Sequence, residues 1–217
     1  MRHNHILDVI IILLVLVSFG MAFYFYQALP DKIATHWNAD GIADGFGGKD
    51  IGLFLIPIIG IFIIILFVFL PRIDPLKSKV GDYSPLMKKI GILALAFLVY
   101  LQGAIIYSNL RYKFSMTSAI APGFAFLFIG IGFFLKKTKR NWFLGIRTHW
   151  TMSSDTVWQK THALGSKLFI LSGALTLLGL IFPVMAFWFM ILPIITSIMI
   201  LFVYSYLEYK KNPQTAT

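Results

Sequence analysis

The sequence predicts an all-α polytopic membrane protein, a bundle of six transmembrane helices with both termini in the cytoplasm. Composition is the first reason: the 217 residues are 58% hydrophobic and only 13% charged, whereas about a quarter of a typical soluble domain is charged. The second reason is a set of long uncharged stretches, and the third is that Lys and Arg lie mainly on one side of them. A water-soluble globular fold is not expected from this pattern.

Uncharged stretches of bilayer length define the spans, because a charge at the bilayer centre costs at least about 2.5–3.5 kcal/mol. Four stretches are long enough for one crossing, and a fifth, residues 168–207, is about twice that length. Pro183 predicts a turn within the fifth, since proline breaks helical geometry. The predicted spans are Val9–Pro30, Ile51–Pro71, Ile90–Leu110, Phe114–Leu135, Ala163–Phe182 and Val184–Leu207.

The distribution of basic residues sets the orientation. Fifteen of the 19 Lys and Arg residues lie in the two termini and in the loops after spans 2 and 4, which places these segments in the cytoplasm. We therefore interpret the net charge of +10 as the result of basic residues that set the membrane orientation and attract anionic lipid. We expect no direct nucleic-acid partner. Cysteine is absent, which excludes disulfides and Cys-ligated metal.

The predicted membrane interior contains no ionisable residue at mid-depth, where proton relays and ion sites are built. This disfavours a proton- or sodium-coupled transporter but leaves open an uncoupled carrier of lipid or a small molecule. The interior polar side chains are expected to form hydrogen bonds between helices. They are Tyr100, Gln102, Tyr107, Ser172, Thr176, Thr196 and Ser197.

The external loop, residues 28–50, is rich in Gly, Asn and Asp, which favour turns, and predicts a compact cap over the bundle. Asn38, Asp40 and Asp44 resemble an oxygen-rich calcium loop. An EF-hand, however, needs a 12-residue loop that ends in a bidentate Glu, and His36 with two Asp residues is a weak zinc set. We therefore interpret these residues as turn formers and predict no metal and no cofactor.

The cytoplasmic segment 140–162 contains three of the five Trp residues. Ser153 or Ser154 is a suitable N-cap for a helix that continues into span 5. On that helix Asp155, Trp158 and His162 share one face. The planar guanidinium of Arg147 can bind phosphate or carboxylate, so a lipid headgroup, an acidic group of a partner or Asp155 itself could receive it. The alternative is an amphipathic elbow anchored by its indoles at the membrane interface.

Together the two loops resemble the SdpI family of integral membrane proteins, the immunity proteins against a sporulation-delaying toxic peptide. The external residues that carry the resemblance are Leu29, Pro30, His36, Trp37, Asn38, Gly41, Asp44 and Lys49, in a region similar to a domain of unknown function that precedes SdpI in many members. The cytoplasmic ones are Asn141 to Thr148, Trp150, Thr151, Ser153, Ser154, Val157, Trp158, Thr161 and His162. The chain departs from the family pattern at His149, where a proline commonly follows the Arg-Thr pair, and at Ala163, where a basic residue is common.

The resemblance implies an N-terminal membrane region over residues 1–115, with spans 1–3, and an SdpI-like region over residues 116–217, with spans 4–6 and the cytoplasmic loop 136–163. It implies a non-enzymatic resistance protein of the prokaryotic cytoplasmic membrane. The expected partners are membrane lipid, a peptide toxin and a cytosolic transcriptional repressor, which the protein would hold at the membrane as a signal transducer. The expected external contacts are His36, Trp37, Asn38, Gly41 and Asp44. The expected cytoplasmic contacts are Arg147, Thr148, Trp150, Thr151, Asp155, Trp158 and His162.

Two other classes of function stay open at this point. One is the lipid or small-molecule carrier, with Arg147 at a headgroup. The other is a membrane enzyme that uses His36 with Asp40 or Asp44, or His162 with Asp155, as an acid–base pair.

Overall fold

A computed structural model describes residues 2–76, 83–110 and 115–211 of the chain. Six helical segments are long and apolar enough to cross a membrane, which confirms the predicted bundle. The long helices are α1 (Arg2–Phe25), α2 (Lys49–Ile73), α3 (Ser84–Asn109), α4 (Met116–Leu135), α6 (Asp155–Thr176) and α8 (Ala186–Lys211). Short elements are α5 (His149–Ser153), α7 (Leu178–Ile181) and a 3-10 turn (Pro183–Met185).

A capping residue sets the start of α6, and a proline marks the reversal between the predicted spans 5 and 6. Helix α6 begins at Asp155, before the predicted span 5, because the Ser154 hydroxyl caps it by accepting the N–H of Val157 at 3.4 Å. The predicted N-cap is thus confirmed. The predicted reversal is also confirmed, since the 3-10 turn begins at Pro183. The predicted start of span 4 at Phe114 lies outside the described residues.

The external loop contains a β-hairpin that the sequence analysis did not predict. Strand β1 (Lys32–Trp37) pairs with strand β2 (Ala43–Gly48) in antiparallel register, with Lys32 opposite Gly48 and Trp37 opposite Ala43. The hairpin is seated on the bundle through Ile33, which is 1% exposed. Its neighbours in one apolar cluster are Ala22, Leu29, Leu53 and Ile106. The small sheet therefore forms a fixed cap on the outer ends of α1, α2 and α3.

The transmembrane helices pack in two groups that meet at one seam. Helices α1, α2 and α3 pack together, α4, α6 and α8 pack together, and α3 contacts α4. Glycines bring α4 and α6 close: a Cβ at Gly132 would lie 2.8 Å from the Ser166 carbonyl oxygen, and one at Gly173 would lie 2.7 Å from that of Ala125. Such small-residue contacts replace the hydrophobic effect as the source of helix association in lipid.

Polar side chains inside the bundle join helices, as predicted for most of them. The fully buried Gln102 of α3 donates to the Ser18 carbonyl of α1 at 3.0 Å and to the Leu53 carbonyl of α2 at 3.2 Å, and its own Oε1 accepts the Ser18 hydroxyl. Further bonds join Ser172 to Ser197, and Tyr100 to the Ala119 carbonyl. Thr196 differs from the prediction, because it is exposed on the outer surface of α8.

Ion pairs join some of the helices at their cytoplasmic ends. Asp8 of α1 pairs with Lys88 of α3 at 2.6 Å. Glu208, only 5% exposed, pairs with Lys160 of α6 and with Lys211, each at 2.7 Å. The last turn of α8 is thereby fixed against α6.

We expect Gln102→Leu to lower the free energy of unfolding by about 0.6–1.7 kcal/mol, the range measured for hydrogen bonds between transmembrane helices. Leucine has a similar volume but removes the three contacts that join α1, α2 and α3. Thermal unfolding of the detergent-purified protein measures this. Thr196→Val on the outer surface of α8 is the matched control, and an equal loss in both variants would contradict the role of Gln102.

Candidate functional site

The outer face of the hairpin carries an exposed polar pair. His36 Nδ1 lies 2.5 Å from Asp44 Oδ1, and both side chains are largely exposed. Trp37 is half-buried beside them, and Phe46 is 66% exposed on the neighbouring strand. An imidazole, a carboxylate and aromatic rings are thus presented together on the external side of the bundle.

Asn38 and Gly41, also predicted as external contacts, shape the hairpin turn. The Asn38 Oδ1 atom accepts the backbone N–H groups of Asp40 and Ile42 at 3.1 and 3.0 Å. Gly41 has a φ of +78°, and a Cβ there would lie 2.8 Å from the backbone nitrogen of Met116. Only glycine fits both requirements without strain. These two residues therefore build the turn, and Gly41 itself is buried.

The hairpin is fastened to the outer ends of α3 and α4 by hydrogen bonds. Asn109, at the end of α3, accepts the Ala34 N–H at 2.8 Å and donates to the Ala34 carbonyl at 3.1 Å. At the start of α4, the Met116 N–H donates to the Gly41 carbonyl at 3.2 Å and Thr117 Oγ1 donates to the Ala39 carbonyl at the same distance. The external cap is thus coupled to the first turn of α4.

On the cytoplasmic side, His162 lies inside the protein and organises the loop that precedes α5. Its Nε2 atom accepts the Ile146 N–H at 3.0 Å, so the other ring nitrogen, Nδ1, carries the proton and donates to the Trp158 carbonyl at 2.8 Å. The ring stacks on Trp158, with centroids 4.0 Å apart. Gly145 has a φ of +111°, and a Cβ there would lie 2.3 Å from Nε2. Both imidazole nitrogens are therefore used within the fold.

Trp158 of α6 and Thr151 of α5 are buried against the same loop. The Trp158 indole N–H donates to the Thr138 carbonyl at 3.0 Å. Thr151 Oγ1 donates to the Ile146 carbonyl at 2.8 Å, and Thr151 forms a reciprocal capping box with Thr148 at the start of α5. Since Thr151, Trp158 and His162 are at most 1% exposed, they position the loop, and the expectation that they touch a cytoplasmic partner directly does not fit their burial.

Asp155 is exposed and pairs with Arg140, with Asp155 Oδ1 at 2.9 Å from Nε. Asp155 is therefore the partner neither of Arg147 nor of His162, and the proposed His162–Asp155 acid–base pair does not form. Arg140 also donates to the Met152 carbonyl at 2.9 Å, so this ion pair fixes the junction between α5 and α6.

Sequence reasoning missed two residues that hold the loop, Asp74 and Asn141. The Asp74 carboxylate at the end of α2 accepts the Tyr83 hydroxyl at 2.5 Å and the Trp142 N–H at 3.1 Å. Burial and this hydrogen bond raise the pKa of the Tyr83 hydroxyl above its usual value, so it stays a donor. Asn141 Oδ1 accepts the N–H groups of Phe143 and Leu144. Asn141 stood within the family-like stretch, but nothing in the sequence linked Asp74 to it.

Arg147 is exposed at the rim of an open groove of about 820 Å³. Its guanidinium donates to the Trp142 carbonyl, and no carboxylate pairs with it in the described part of the chain. One wall is aromatic, because Trp150 packs on Phe202 and Tyr206 of α8 with ring centroids 5.2 and 5.1 Å away. We call this cavity the Arg147 groove. Its lining residues are Trp142, Arg147, Thr148, His149, Trp150, Met152, Ser153 and Phe202.

Three of the predicted cytoplasmic contacts, Arg147, Thr148 and Trp150, thus come together in one groove. Trp142 and His149 join them there. Within the described ranges, no three His, Asp or Glu side chains come close enough to hold a metal ion. The chemistry of the groove is that of a cation beside aromatic rings, which suits an anionic group attached to apolar material.

Two regions of the chain match known protein families, and each of them contains one of the two loops described above. Residues 137–206 match the model of the SdpI/YfhL protein family, and residues 13–61 match that of a domain of unknown function, DUF1648. The chain is 27% identical over 212 residues to the immunity protein SdpI of Bacillus subtilis (strain 168), an alignment that covers 94% of this chain and 96% of that protein. No solved structure matches the chain significantly.

A bundle of six apolar helices with polar sites at its two ends is a multi-pass integral membrane protein. The first matched region contains the external hairpin, and the second contains the loop around His162 and the Arg147 groove. Residues 137–206 are thus similar to the SdpI/YfhL protein family, and the chain as a whole is similar to an immunity protein.

We expect Gly145→Ala to destabilise the protein by about 1–3 kcal/mol, because the positive φ is unfavourable for alanine and the new Cβ overlaps the His162 ring. The apparent Tm of the purified protein reports the loss. Gly20→Ala in α1, where a Cβ meets nothing within 4 Å, is the matched control and should leave the Tm unchanged or raise it. Equal melting of the Gly145 variant and the wild type would rule out this packing.

Proposed function

We propose that this chain is a non-enzymatic immunity protein of a prokaryotic cell membrane, which protects its host against a secreted peptide toxin. The observation that carries the proposal is the similarity, over almost the whole chain, to an immunity protein. The fold supports it, since the exposed chemistry lies on the hairpin outside the membrane and in the Arg147 groove inside. A toxin that reaches the cell from outside meets the hairpin first.

The hairpin suits the binding of a peptide. His36 and Asp44 form a donor and acceptor pair that can bind backbone amides or a charged side chain, and Phe46 and Ile42 are exposed apolar contacts on the same cap, at 66% and 63%. A rigid surface of this kind loses little conformational entropy on binding. Asn38 and Gly41 support the contact by shaping the turn.

A protection assay tests the external contact. We expect His36→Ala combined with Asp44→Asn to reduce survival of toxin-sensitive cells at least about tenfold, because both polar contacts with the toxin are lost, each worth about 1 kcal/mol or more. The measurement is survival of cells that lack their own immunity protein, challenged with the sporulation-delaying peptide.

The matched control is Asp40→Ala, an exposed carboxylate on the same hairpin that should keep full protection. Folded yield must stay equal in all variants. Full protection by the double variant would refute the hairpin as the contact, and failure of the wild-type chain to protect against a panel of membrane-active peptides would refute immunity itself.

We further propose that the Arg147 groove binds a cytosolic regulator, a transcriptional repressor, when toxin occupies the hairpin. Helix α4 provides the connection: its first turn is bonded to the hairpin through Gly41 and Thr117. Just past its other end, the Thr138 carbonyl accepts the indole N–H of Trp158. The backbone N–H of Trp142, which lines the groove, is bonded to Asp74 at the end of α2. A shift of α4 would therefore move the loop that carries Arg147.

We expect Arg147→Ala to abolish toxin-induced expression from the immunity operon while leaving folded yield unchanged, because the exposed guanidinium has no structural ion pair to lose. A reporter fused to the operon promoter measures this response. Lys136→Ala, which removes an exposed charge near the same end of α4, is the control. An unchanged reporter response in Arg147→Ala would refute the groove as the docking site without affecting the immunity proposal.

A further inference from the structure

Two cavities lie next to each other at the cytoplasmic ends of α3 and α4, apart from the Arg147 groove. The first has a volume of about 330 Å³ and is rimmed by Lys89 of α3 and by Lys137 and Lys139, which follow α4. None of the described residues that line it is acidic. The cavity is therefore lined by three basic residues.

No ion pair within the described residues explains why these three lysines lie around one cavity. All three are exposed, and none forms an ion pair within the described residues. Asp74, which bonds the nearby Tyr83, is 5% exposed and also accepts the backbone N–H groups of Leu76 and Trp142. Like charges around one cavity repel each other. An anion bound among them would remove that cost.

The second cavity is apolar and adjoins the first. It has a volume of about 260 Å³, and its lining includes Ile90, Phe134 and Phe169. Leu144 lines both cavities, and Ile90 directly follows Lys89 in α3. The basic lining of the first cavity thus adjoins the apolar lining of the second at Leu144.

We propose that the two cavities together bind one anionic phospholipid, with its phosphate among Lys89, Lys137 and Lys139 and an acyl chain along Ile90 and Phe134. Basic pockets between transmembrane helices on the cytoplasmic side suit anionic headgroups. A soluble phosphate would use only the first cavity, whereas an amphiphile uses both. This site is independent of the toxin and regulator contacts proposed above, and it would hold α3 against α4 at their seam.

Native mass spectrometry of the full-length protein, titrated with phosphatidylglycerol or phosphatidylcholine, tests the proposal. We expect selective retention of phosphatidylglycerol. The triple variant Lys89→Gln, Lys137→Gln, Lys139→Gln should bind it about tenfold or more weakly, since each basic residue adds to the attraction of an anionic headgroup. The control triple variant Arg72→Gln, Lys136→Gln, Lys210→Gln loses the same charge on the same face and should bind almost as the wild type does. Equal losses in the two variants, or equal retention of both lipids, would overturn the site.

A second set of experiments distinguishes a bound lipid from a bound soluble phosphate. Ile90→Trp should narrow the apolar cavity and weaken phosphatidylglycerol binding severalfold. Millimolar glycerol 3-phosphate or inorganic phosphate should fail to displace the lipid from the wild-type protein. Displacement by either soluble anion would overturn the lipid assignment, and this competition needs no variant to fold.

Discussion

Polar side chains inside the membrane region depend on partners within the protein, because lipid offers none. That constraint explains the arrangement of the buried polar side chains. Gln102 uses its amide to join three helices, and Ser172 and Ser197 satisfy each other between α6 and α8. At the cytoplasmic boundary the same need is met by His162, whose two nitrogens each serve a backbone group. A cluster of aromatic and polar residues thereby becomes a loop of fixed shape.

The two groups of transmembrane helices are joined at both faces of the membrane. Outside, the hairpin seated on α1, α2 and α3 is bonded to the start of α4, and inside, Asp74 at the end of α2 is bonded to the loop that follows α4. Helix α4 is 20 residues long, or about 30 Å. It therefore links the external cap to the cytoplasmic loop as one rigid element. A packed interface of this kind responds to force by discrete shifts rather than by gradual bending.

Much of this fold follows from the sequence, since charge and apolar length alone determine the six spans. The hairpin did not follow, because β2 is Ala-Asp-Gly-Phe-Gly-Gly, and glycine and aspartate are depleted in strands. The pairing of the two strands depends on the packing of Ile33 between the outer ends of the helices. The sites were predicted only in part: Arg147 and His36 lie on the surface, but the burial of His162 depends on its contacts with the Ile146 N–H and the Trp158 ring, which only the fold brings together. Asp74 could not be found, because its contacts with Tyr83 and Trp142 exist only in three dimensions.

The cluster of Glu208 with Lys160 and Lys211 has a practical consequence for labelling. It fixes the end of α8 beside α6, and Phe202 and Tyr206 of the same helix form the wall on which Trp150 packs. A fluorescent protein fused after Lys211 would consequently emerge within reach of the Arg147 groove and obstruct access to it. A label intended to leave that surface open belongs at the other end of the chain.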